Sequence, residues 1–360
     1  MASPAAAALD GAESAHDAGL RYVSDSTPGL SRHRRGRGFV YKNQRQRLVV
    51  EARTLARIRA MAIPPAWRDV WISPDARGHL QATGRDARRR KQYRYHPLWT
   101  ALRNETKYER MVMFGRALPA LRRQVARDLR HPALSRERVL ATVVTLLERT
   151  LIRVGNDEYA RANRSFGLTT LESRHVRVRG ARVSFRFRAK SGVQQFVKLE
   201  DAALARSVKR CQDLPGQILF QYLDLTGARQ SVGSADVNAY VRASTGQDFT
   251  AKDFRTWAGT VLAASALGRL AIESSVTARK RQVAAVVASV ATRLGNTPAV
   301  CRRCYIHPGV IDAFMDGKVV DSGARRLRES RMNADEASVL AFLRRVSRAS
   351  SSGTSGSATC

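Results

Sequence analysis

The segment Leu294-Gly-Asn-Thr-Pro-Ala-Val-Cys-Arg-Arg-Cys-Tyr305-Ile-His-Pro308 places a tyrosine within three residues of two arginines. A phenol is a weak nucleophile at its ordinary pKa of about 10. It attacks a phosphodiester usefully only where cations favour the phenolate and neutralise the phosphate that it approaches. The segment therefore predicts a phosphate-reactive tyrosine, provided that other cations of the chain converge on it.

The composition supplies cations in excess. The chain has 360 residues, with 63 Lys and Arg against 30 Asp and Glu and a formal net charge of +33. Such a field attracts polyanions, so nucleic acid is the partner that it predicts, although a merely solvated basic surface is the alternative. The longest apolar runs fall far short of the roughly 20 residues that span a bilayer, and residues 5–8 lack the basic start of a secretory signal. We expect a cytoplasmic, nucleoid-associated protein without membrane contact.

The cysteines do not predict a disulfide framework in a chain of this size. They are Cys211, Cys301, Cys304 and Cys360. Cys301 and Cys304 have the spacing of a redox or zinc pair, but no second pair or spaced histidines accompany them. The pattern favours two small residues that pack on one face of a short helix. Whether the pair makes the site sensitive to oxidation stays open.

The N-terminal part of the chain predicts a small sheet domain over residues 19–100. Residues 1–18 are expected to be a disordered tail. The segment from Arg32 to Arg37 is expected to be a flexible basic strip that either touches a phosphate backbone or solvates a loop. A helix is predicted over residues 44–61, and alternating apolar and polar residues predict strands at 70–72, 78–83 and 91–95.

The remainder predicts a mainly helical domain over residues 101–345 with one small three-stranded sheet. Helical periodicity is found over residues 98–112, 118–129 and 135–152, and Ser135 is a candidate N-cap. Two strands are predicted within 176–188 around Gly180, and a third at 195–199. Helices follow from 202, including 235–243, 250–266 and 277–294, and residues 346–360 are expected to be a disordered tail. The fold class is therefore α+β.

Three cations of this second domain are candidates for a site with Tyr305. Arg153 follows a buried helix, where an arginine is a poor core residue unless it is paired or meets an anion. Lys190 lies at the tip of a strand connection, and Arg255 follows a capping-box start near a helix N-terminus. Each also has an ordinary explanation, since the arginines can pair with carboxylates and the lysine can be solvated.

In this order, Arg, Lys, Arg and Tyr, the chain resembles the type IB DNA topoisomerases, in particular the poxvirus-like and bacterial branch. The resemblance covers roughly residues 20–345. It is carried by these motifs: Ile63-Pro-Pro-Ala-Trp67, Gln81-Ala-Thr-Gly-Arg-Asp-Ala-Arg88, Lys91-Gln-Tyr93, Leu151-Ile-Arg-Val-Gly-Asn156, Gly167-Leu-Thr-Thr-Leu171, Lys252-Asp-Phe-Arg-Thr-Trp257 and Gly295 to Tyr305.

The resemblance implies a mechanism and an architecture. Tyr305 would form a 3′-phosphotyrosyl bond, Arg153 and Arg255 would hold the non-bridging phosphate oxygens, Lys190 would protonate the leaving 5′ oxygen, and Lys252 would support the phosphate. A monomer would encircle double-stranded DNA with the N-terminal sheet domain and a catalytic domain related to the tyrosine recombinases. These roles agree with the planar fork of arginine and with the ability of lysine to give up a proton.

One position departs from better-known members of the family. Asn296 stands where viral and eukaryotic enzymes have a histidine, and an amide can donate a hydrogen bond but carries no charge. We expect Asn296 to stabilise the transition state, at a loss on the order of 1 kcal/mol relative to a charged donor. The resemblance also implies DNA contacts by Gln92, Tyr93 and Arg103.

Two kinds of site are missing from the sequence. It has no G-x-x-x-x-G-K-[ST] phosphate loop and no clustered carboxylates suited to Mg²⁺, so we expect neither ATP nor an obligatory metal. Energy would be conserved in the phosphotyrosyl bond. Two alternatives stay open at this point, a tyrosine site-specific recombinase and a non-enzymatic basic DNA-binding protein.

Overall fold

The computed structural model describes residues 12–87, 89–320 and 332–352, without the side chains of 103–107 and 348–352. The chain divides into two compact units, Met1–Tyr108 and Glu109–Cys360. The division falls inside one helix and a little beyond the boundary predicted after residue 100, because helical periodicity continues through this region without a break.

The N-terminal unit is built on a five-stranded antiparallel sheet of order β2-β1-β3-β4-β5. Its core joins Leu30, Ile72 and Ala82 of the sheet to Ile58 of a helix and Trp67 of a loop. Its elements are α1 (residues 12–17), β1 (Leu30–Arg35), β2 (Gly38–Lys42), α2 (Ala52–Ala60), β3 (Arg68–Ile72), β4 (Leu80–Arg85) and β5 (Lys91–Tyr95).

The basic strip from Arg32 to Arg37 is a β-hairpin, so the prediction of a flexible strip is wrong. Strand pairing runs from Ser31↔Lys42 to Arg35↔Gly38. The Arg32 guanidinium lies 4.2 Å from the centre of the Phe39 ring and donates hydrogen bonds to the carbonyl oxygens of Pro64 and Trp67. Arg32 therefore holds a loop, whereas Arg34 and Arg35 are exposed.

Two further predictions in this unit need correction. The helix predicted from residue 44 begins only at Ala52, because the Asn43 side chain accepts hydrogen bonds from the backbone N–H groups of Arg45 and Arg47 and closes a turn. Residues 12–17 form a helix instead of a disordered tail, since Ala15 is buried in a small cluster with Trp99. Residues 1–11 lie outside the described residues.

The second unit is mainly helical, and most side chains of its helix α4 (Arg136–Thr150) are buried. That helix begins after the predicted N-cap Ser135 and ends at Leu151 in a left-handed conformation. Helices of this part of the chain are α3 (Pro97–Asp128), α4 (Arg136–Thr150), α5 (Asp157–Asn163), α6 (Ala202–Asp213), α7 (Ser234–Thr245), α8 (Ala251–Gly268), α9 (Val276–Leu294), α10 (Pro298–Cys304), α11 (Pro308–Met315) and α12 (Ala334–Ser352), with short 3₁₀ turns at Leu168–Thr170, Ser173–His175 and Lys190–Gly192.

The predicted three-stranded sheet is confirmed, with the order β6-β7-β8. The structure adds a two-stranded ribbon of β9 and β10 that the sequence did not reveal. The strands are β6 (Val176–Arg179), β7 (Arg182–Arg188), β8 (Gln194–Glu200), β9 (Gln221–Leu223) and β10 (Arg229–Ser231).

Two helices of the second unit also differ from prediction. Residues 98–112 and 118–129 form one helix, α3, which passes through Pro119. Leu118 and Leu121 are buried on either side of the proline, so tertiary packing outweighs the backbone hydrogen bond that it removes. The C-terminal helix α12 runs to Ser352, past the predicted start of a disordered tail at 346, and residues 353–360 lie outside the described residues.

No single helix in the described ranges is long and apolar enough to cross a membrane. The helices α9 and α10 together reach the length and composition of a membrane span, by those two criteria only, and they meet at an angle of 93°.

Candidate active site

A cleft of about 400 Å³ in the second unit brings together most of the predicted site residues. Its lining includes Arg153, Lys190, Lys252, Arg255 and Tyr305. These residues come from four separate parts of the chain, so their convergence is a property of the fold. Four cationic side chains thus surround one phenol, as phosphate binding requires.

Arg153 reaches the cleft from the extended segment after α4. Gly167 lets this segment approach closely, because a Cβ there would lie 2.6 Å from the Arg153 carbonyl oxygen and from Gly155. The Arg153 guanidinium donates hydrogen bonds to the carbonyl oxygen of Gly295, at 3.1 Å, and to Oδ1 of Asn296. Burial lowers the pKa of Arg153, although a guanidinium keeps its charge in any protein setting.

Arg255 lies in the second turn of α8 and is only 4% exposed. Its guanidinium donates hydrogen bonds to the carbonyl oxygen of Leu151 and, at 2.6 Å, to that of Leu294. Burial and the neighbouring charge of Arg153 lower its pKa. The Arg255 Nε is buried without a hydrogen-bond partner. Two adjacent, partly desolvated guanidinium groups create a strong preference for an anion.

No carboxylate in the described ranges forms an ion pair with either arginine. The sequence left open that Arg153 pairs with Asp157 or Glu158, but its hydrogen bonds go to Gly295 and Asn296 instead. Both arginines are held by uncharged oxygen atoms, which leave their positive charge uncompensated. The ordinary explanation of these arginines as ion-paired core residues therefore does not hold.

Tyr305 follows α10 and is fixed through its backbone. Its N–H donates to the Cys301 carbonyl oxygen at 2.9 Å, and its own carbonyl oxygen accepts from Thr260 Oγ1 at 3.3 Å. Gly259 permits this approach, because a Cβ there would lie 2.6 Å from the Tyr305 carbonyl oxygen. The half-buried ring has its centre 5.3 Å from the Arg255 guanidinium carbon. Helix α8 therefore positions both Arg255 and the phenol.

Lys190 lies on the turn between β7 and β8, as the sequence predicts. Ser191 and Gly192 both adopt positive φ angles there, of 66° and 79°. The lysine side chain is exposed, and its Nζ lies 5.9 Å from the centre of the Tyr159 ring. Lys252, in the first turn of α8, is also exposed and lines the same cleft. Both ammonium groups are thus free to meet a ligand.

Asn296 lies on the turn that joins α9 to α10. Gly295 ends α9 with a φ of 59°, and Thr297 caps α10. The Asn296 carboxamide oxygen faces Arg153, while its Nδ2 is buried without a hydrogen-bond partner. An unpartnered buried N–H is costly. Asn296 is not among the residues that line the cleft, and its link to the cleft is the hydrogen bond from Arg153.

Tyr159 is a cleft residue that the sequence reasoning missed. It follows the N-cap Asn156, whose Oδ1 accepts from the Tyr159 backbone N–H at 2.7 Å. The sequence does indicate this residue. Asn156 is the last residue of the motif Leu151-Ile-Arg-Val-Gly-Asn156, and a helix that begins after this N-cap carries Tyr159 in its first turn.

The cysteine pair packs as the ordinary explanation predicts. Cys301 is fully buried in α10 and Cys304 is half-buried at its end. Burial raises the pKa of the Cys301 thiol to about 11. Within the described ranges, no three His, Cys, Asp or Glu side chains are grouped closely enough to hold a metal ion.

The residues predicted to contact DNA belong to the N-terminal unit. Gln92 and Tyr93 lie on β5, where the Gln92 amide donates to Asp86 and the Tyr93 ring stacks on Tyr95 at 6.0 Å. Tyr93 is 44% exposed. The Arg103 side chain lies outside the described residues.

Comparison with known proteins agrees with the composition of the cleft. A model of the catalytic core of eukaryotic DNA topoisomerase I matches residues 93–319, and a model of the N-terminal domain of bacterial DNA topoisomerase IB matches residues 38–86. DNA topoisomerase 1B of Acanthamoeba polyphaga mimivirus is 30% identical over 295 residues, which cover 80% of this chain and 88% of the relative. DNA topoisomerase 1B of vaccinia virus, strain Copenhagen, and DNA topoisomerase I of monkeypox virus are each 19% identical over 69% of this chain and 76% of the relative.

Proposed function

Because this chain belongs to the type IB DNA topoisomerase family, we propose that it relaxes supercoiled duplex DNA through a transient 3′-phosphotyrosyl bond. The observation that carries the proposal is the convergence of Arg153, Lys190, Arg255 and Tyr305 on one cleft. The family is an enzyme family that acts on DNA, and the steps below are proposed for this chain from its own residues.

The first step is attack by the Tyr305 oxygen on the scissile phosphorus. A bond forms between phosphorus and the phenol oxygen, the bond to the 5′ oxygen breaks, and the phenol loses its proton to solvent. Arg153 and Arg255 bind the non-bridging oxygens, where uncompensated guanidinium charge stabilises the transition state. Asn296 Nδ2 adds a neutral donor.

The leaving 5′ oxygen needs a proton, and Lys190 is the proposed donor. Its ammonium group is exposed on a turn at the edge of the cleft, where it can reach the departing strand. Lys252 supports the phosphate from the first turn of α8. Return of the 5′ hydroxyl to phosphorus after strand rotation reverses the step and reseals the DNA.

The energy balance of this scheme requires no ATP and no obligatory metal ion. The phosphotyrosyl ester conserves the energy of the phosphodiester that it replaces, so resealing needs no further input. We also propose that the protein acts as a monomer that encircles the duplex in the nucleoid of the cytoplasm, with DNA contacts by Gln92, Tyr93 and Arg103, and that its catalytic domain is related to the tyrosine recombinases. The family membership supports these proposals.

Plasmid relaxation in EDTA without ATP tests the function directly. Dilute protein is expected to relax a single supercoiled plasmid, and denaturant is expected to trap it on a 3′ end. A requirement for ATP or metal, or covalent attachment to a 5′ end, would overturn the proposal. Exchange between two specific sites without relaxation would instead indicate a recombinase, and binding without cleavage would indicate a non-enzymatic DNA-binding protein.

The role of Lys190 has its own test. Lys190→Ala is expected to slow cleavage of an ordinary duplex but to cleave a 5′-bridging phosphorothiolate at nearly the wild-type rate, because a thiolate leaves without an acid. Equal slowing on both substrates would remove Lys190 from the acid role.

A further inference from the structure

The outer face of the β6-β7-β8 sheet is an exposed basic surface outside the cleft. Alternate residues of β7 point to opposite faces, so Val183, Phe185 and Phe187 are buried while Arg186 and Arg188 are exposed. Helix α6 packs on β6 and β7 and leaves the other face open. We name this outer face the basic sheet face and define it by Arg177, Arg186, Arg188, Phe196 and Lys198.

The charge of the basic sheet face is uncompensated. In the described part of the chain, no carboxylate pairs with its four cations. The single ion pair on these strands, Arg182 with Glu200 at 3.3 Å, lies at the far end from the Lys190 turn. Net positive charge without counter-charge suits a polyanion.

Phe196 lies in the middle of these cations. It is 62% exposed, pairs across the strands with Arg186, and has the Lys198 Nζ 4.9 Å from its ring centre. A large exposed aromatic ring among cations combines phosphate binding with an apolar contact for sugars and bases. An acidic protein would use the cations but has no general need for the ring.

The basic sheet face begins at the edge of the cleft. Arg188 pairs with Gln194 beside the Lys190 turn, and a Cβ on Gly192 of that turn would lie 3.3 Å from the Arg188 guanidinium. Strand geometry places Arg186 about 7 Å farther along β7, and the row of Lys198 about 13 Å from Arg188. The distance of about 13 Å from Arg188 to the row of Lys198 equals about four nucleotide steps along one DNA strand, at about 3.4 Å of helix axis per step.

We propose that the basic sheet face binds the same duplex that the cleft holds, beyond the Lys190 turn. Arg186 and Lys198 contact backbone phosphates, and Phe196 packs against sugar or base edges. This inference rests on the proposed function, since it extends the DNA that the cleft engages.

Salt-dependent binding separates the two kinds of contact. Affinity for a short fluorescent duplex is measured by anisotropy between about 50 and 200 mM salt, the range over which phosphate contacts dominate. The slope of log K against log salt is negative. Arg186→Gln/Lys198→Gln is expected to make it less steep by about 1.8, at about 0.9 for each of two lost phosphate contacts. Phe196→Ala is expected to weaken binding about 5- to 150-fold without changing the slope.

A matched control removes the same charge from the opposite side of the sheet. Arg206 and Arg210 are exposed on α6, and Arg206→Gln/Arg210→Gln is expected to leave the slope near the wild-type value. Melting curves check that every variant is folded. The cleavage rate at saturating DNA is expected to stay at the wild-type value in all three variants. Failure of this inference would therefore leave the proposed cleavage chemistry unaffected.

Two results would overturn the inference. One is an unchanged slope for Arg186→Gln/Lys198→Gln on the short duplex. The other is a defect seen only on supercoiled plasmid, which would mean that the face binds a separate DNA segment.

Discussion

Replacement of Asn296 by alanine removes a buried neutral donor beside Arg153, one of the arginines that line the cleft. Its Nδ2 is buried and unpartnered, while its Oδ1 is held by Arg153. A hydrogen bond to a charged group contributes about 1.5 to 3 kcal/mol. At about 1.36 kcal/mol for each tenfold change in rate, Asn296→Ala is expected to slow cleavage about 10- to 150-fold.

Single-turnover cleavage of a labelled duplex, stopped with denaturant, measures this rate without interference from strand rotation. Gln282→Ala is the control, because Gln282 also has a buried, unpartnered amide atom, but its Nε2 donates to the carbonyl oxygen of Ala271, which does not line the cleft, whereas Asn296 contacts Arg153. Asn296→Asp is expected to be slower than the wild type as well, since a carboxylate would pair with Arg153 and repel the phosphate. A rate for Asn296→Ala within about twofold of the wild type would refute the assignment of this donor.

Three further predictions concern the framework of the site. Gly259→Ala brings a methyl group within 2.6 Å of the Tyr305 carbonyl oxygen, so cleavage is expected to slow and thermal unfolding to show a loss of about 1 to 3 kcal/mol; unchanged activity and stability would contradict it. Burial opposes the ionisation of Glu336, but hydrogen bonds and charge from Arg122 lower its pKa, so its stabilisation is complete above about pH 4.3 and is lost as the pH falls through the lower folded value. Glu336→Gln is therefore expected to flatten the dependence of the melting temperature on pH in acid, and an unaltered profile would count against the pair. Since the Cys301 thiol has a pKa of about 11, iodoacetamide at pH 7.5 is expected to spare it in the folded protein, as peptide mass spectrometry would show; rapid alkylation would contradict its burial.

Periodic segments were predicted well because their patterns are local. The alternation within β7 and the N-cap of α4 are both visible in a few residues, and both are confirmed. The hairpin at Arg32 was missed because β1 is mostly polar and β2 carries three consecutive apolar or aromatic residues, so neither strand shows apolar alternation. It is held instead by a cation–ring contact and by a loop distant in sequence.

The candidate site also depends on contacts between residues that are distant in sequence, which a local pattern does not predict. Sequence order and family resemblance were enough to select Arg153, Lys190, Arg255 and Tyr305, but not to show what holds them. Apart from the Asn296 side chain, the oxygen partners of the arginines are backbone carbonyls at Gly295, Leu151 and Leu294, whose positions depend on how helices end and pack. Backbone carbonyls carry no residue-specific signal, so only the fold reveals them.

The function of Tyr305 as nucleophile is the central claim, and Tyr305→Phe tests it most directly. Plasmid relaxation and duplex affinity are measured together over a range of salt. The account predicts that relaxation and covalent trapping vanish, while affinity and its salt slope stay near the wild-type values, because the arginines and lysines that bind phosphate are unchanged. Continued relaxation by the Tyr305→Phe protein would contradict the account.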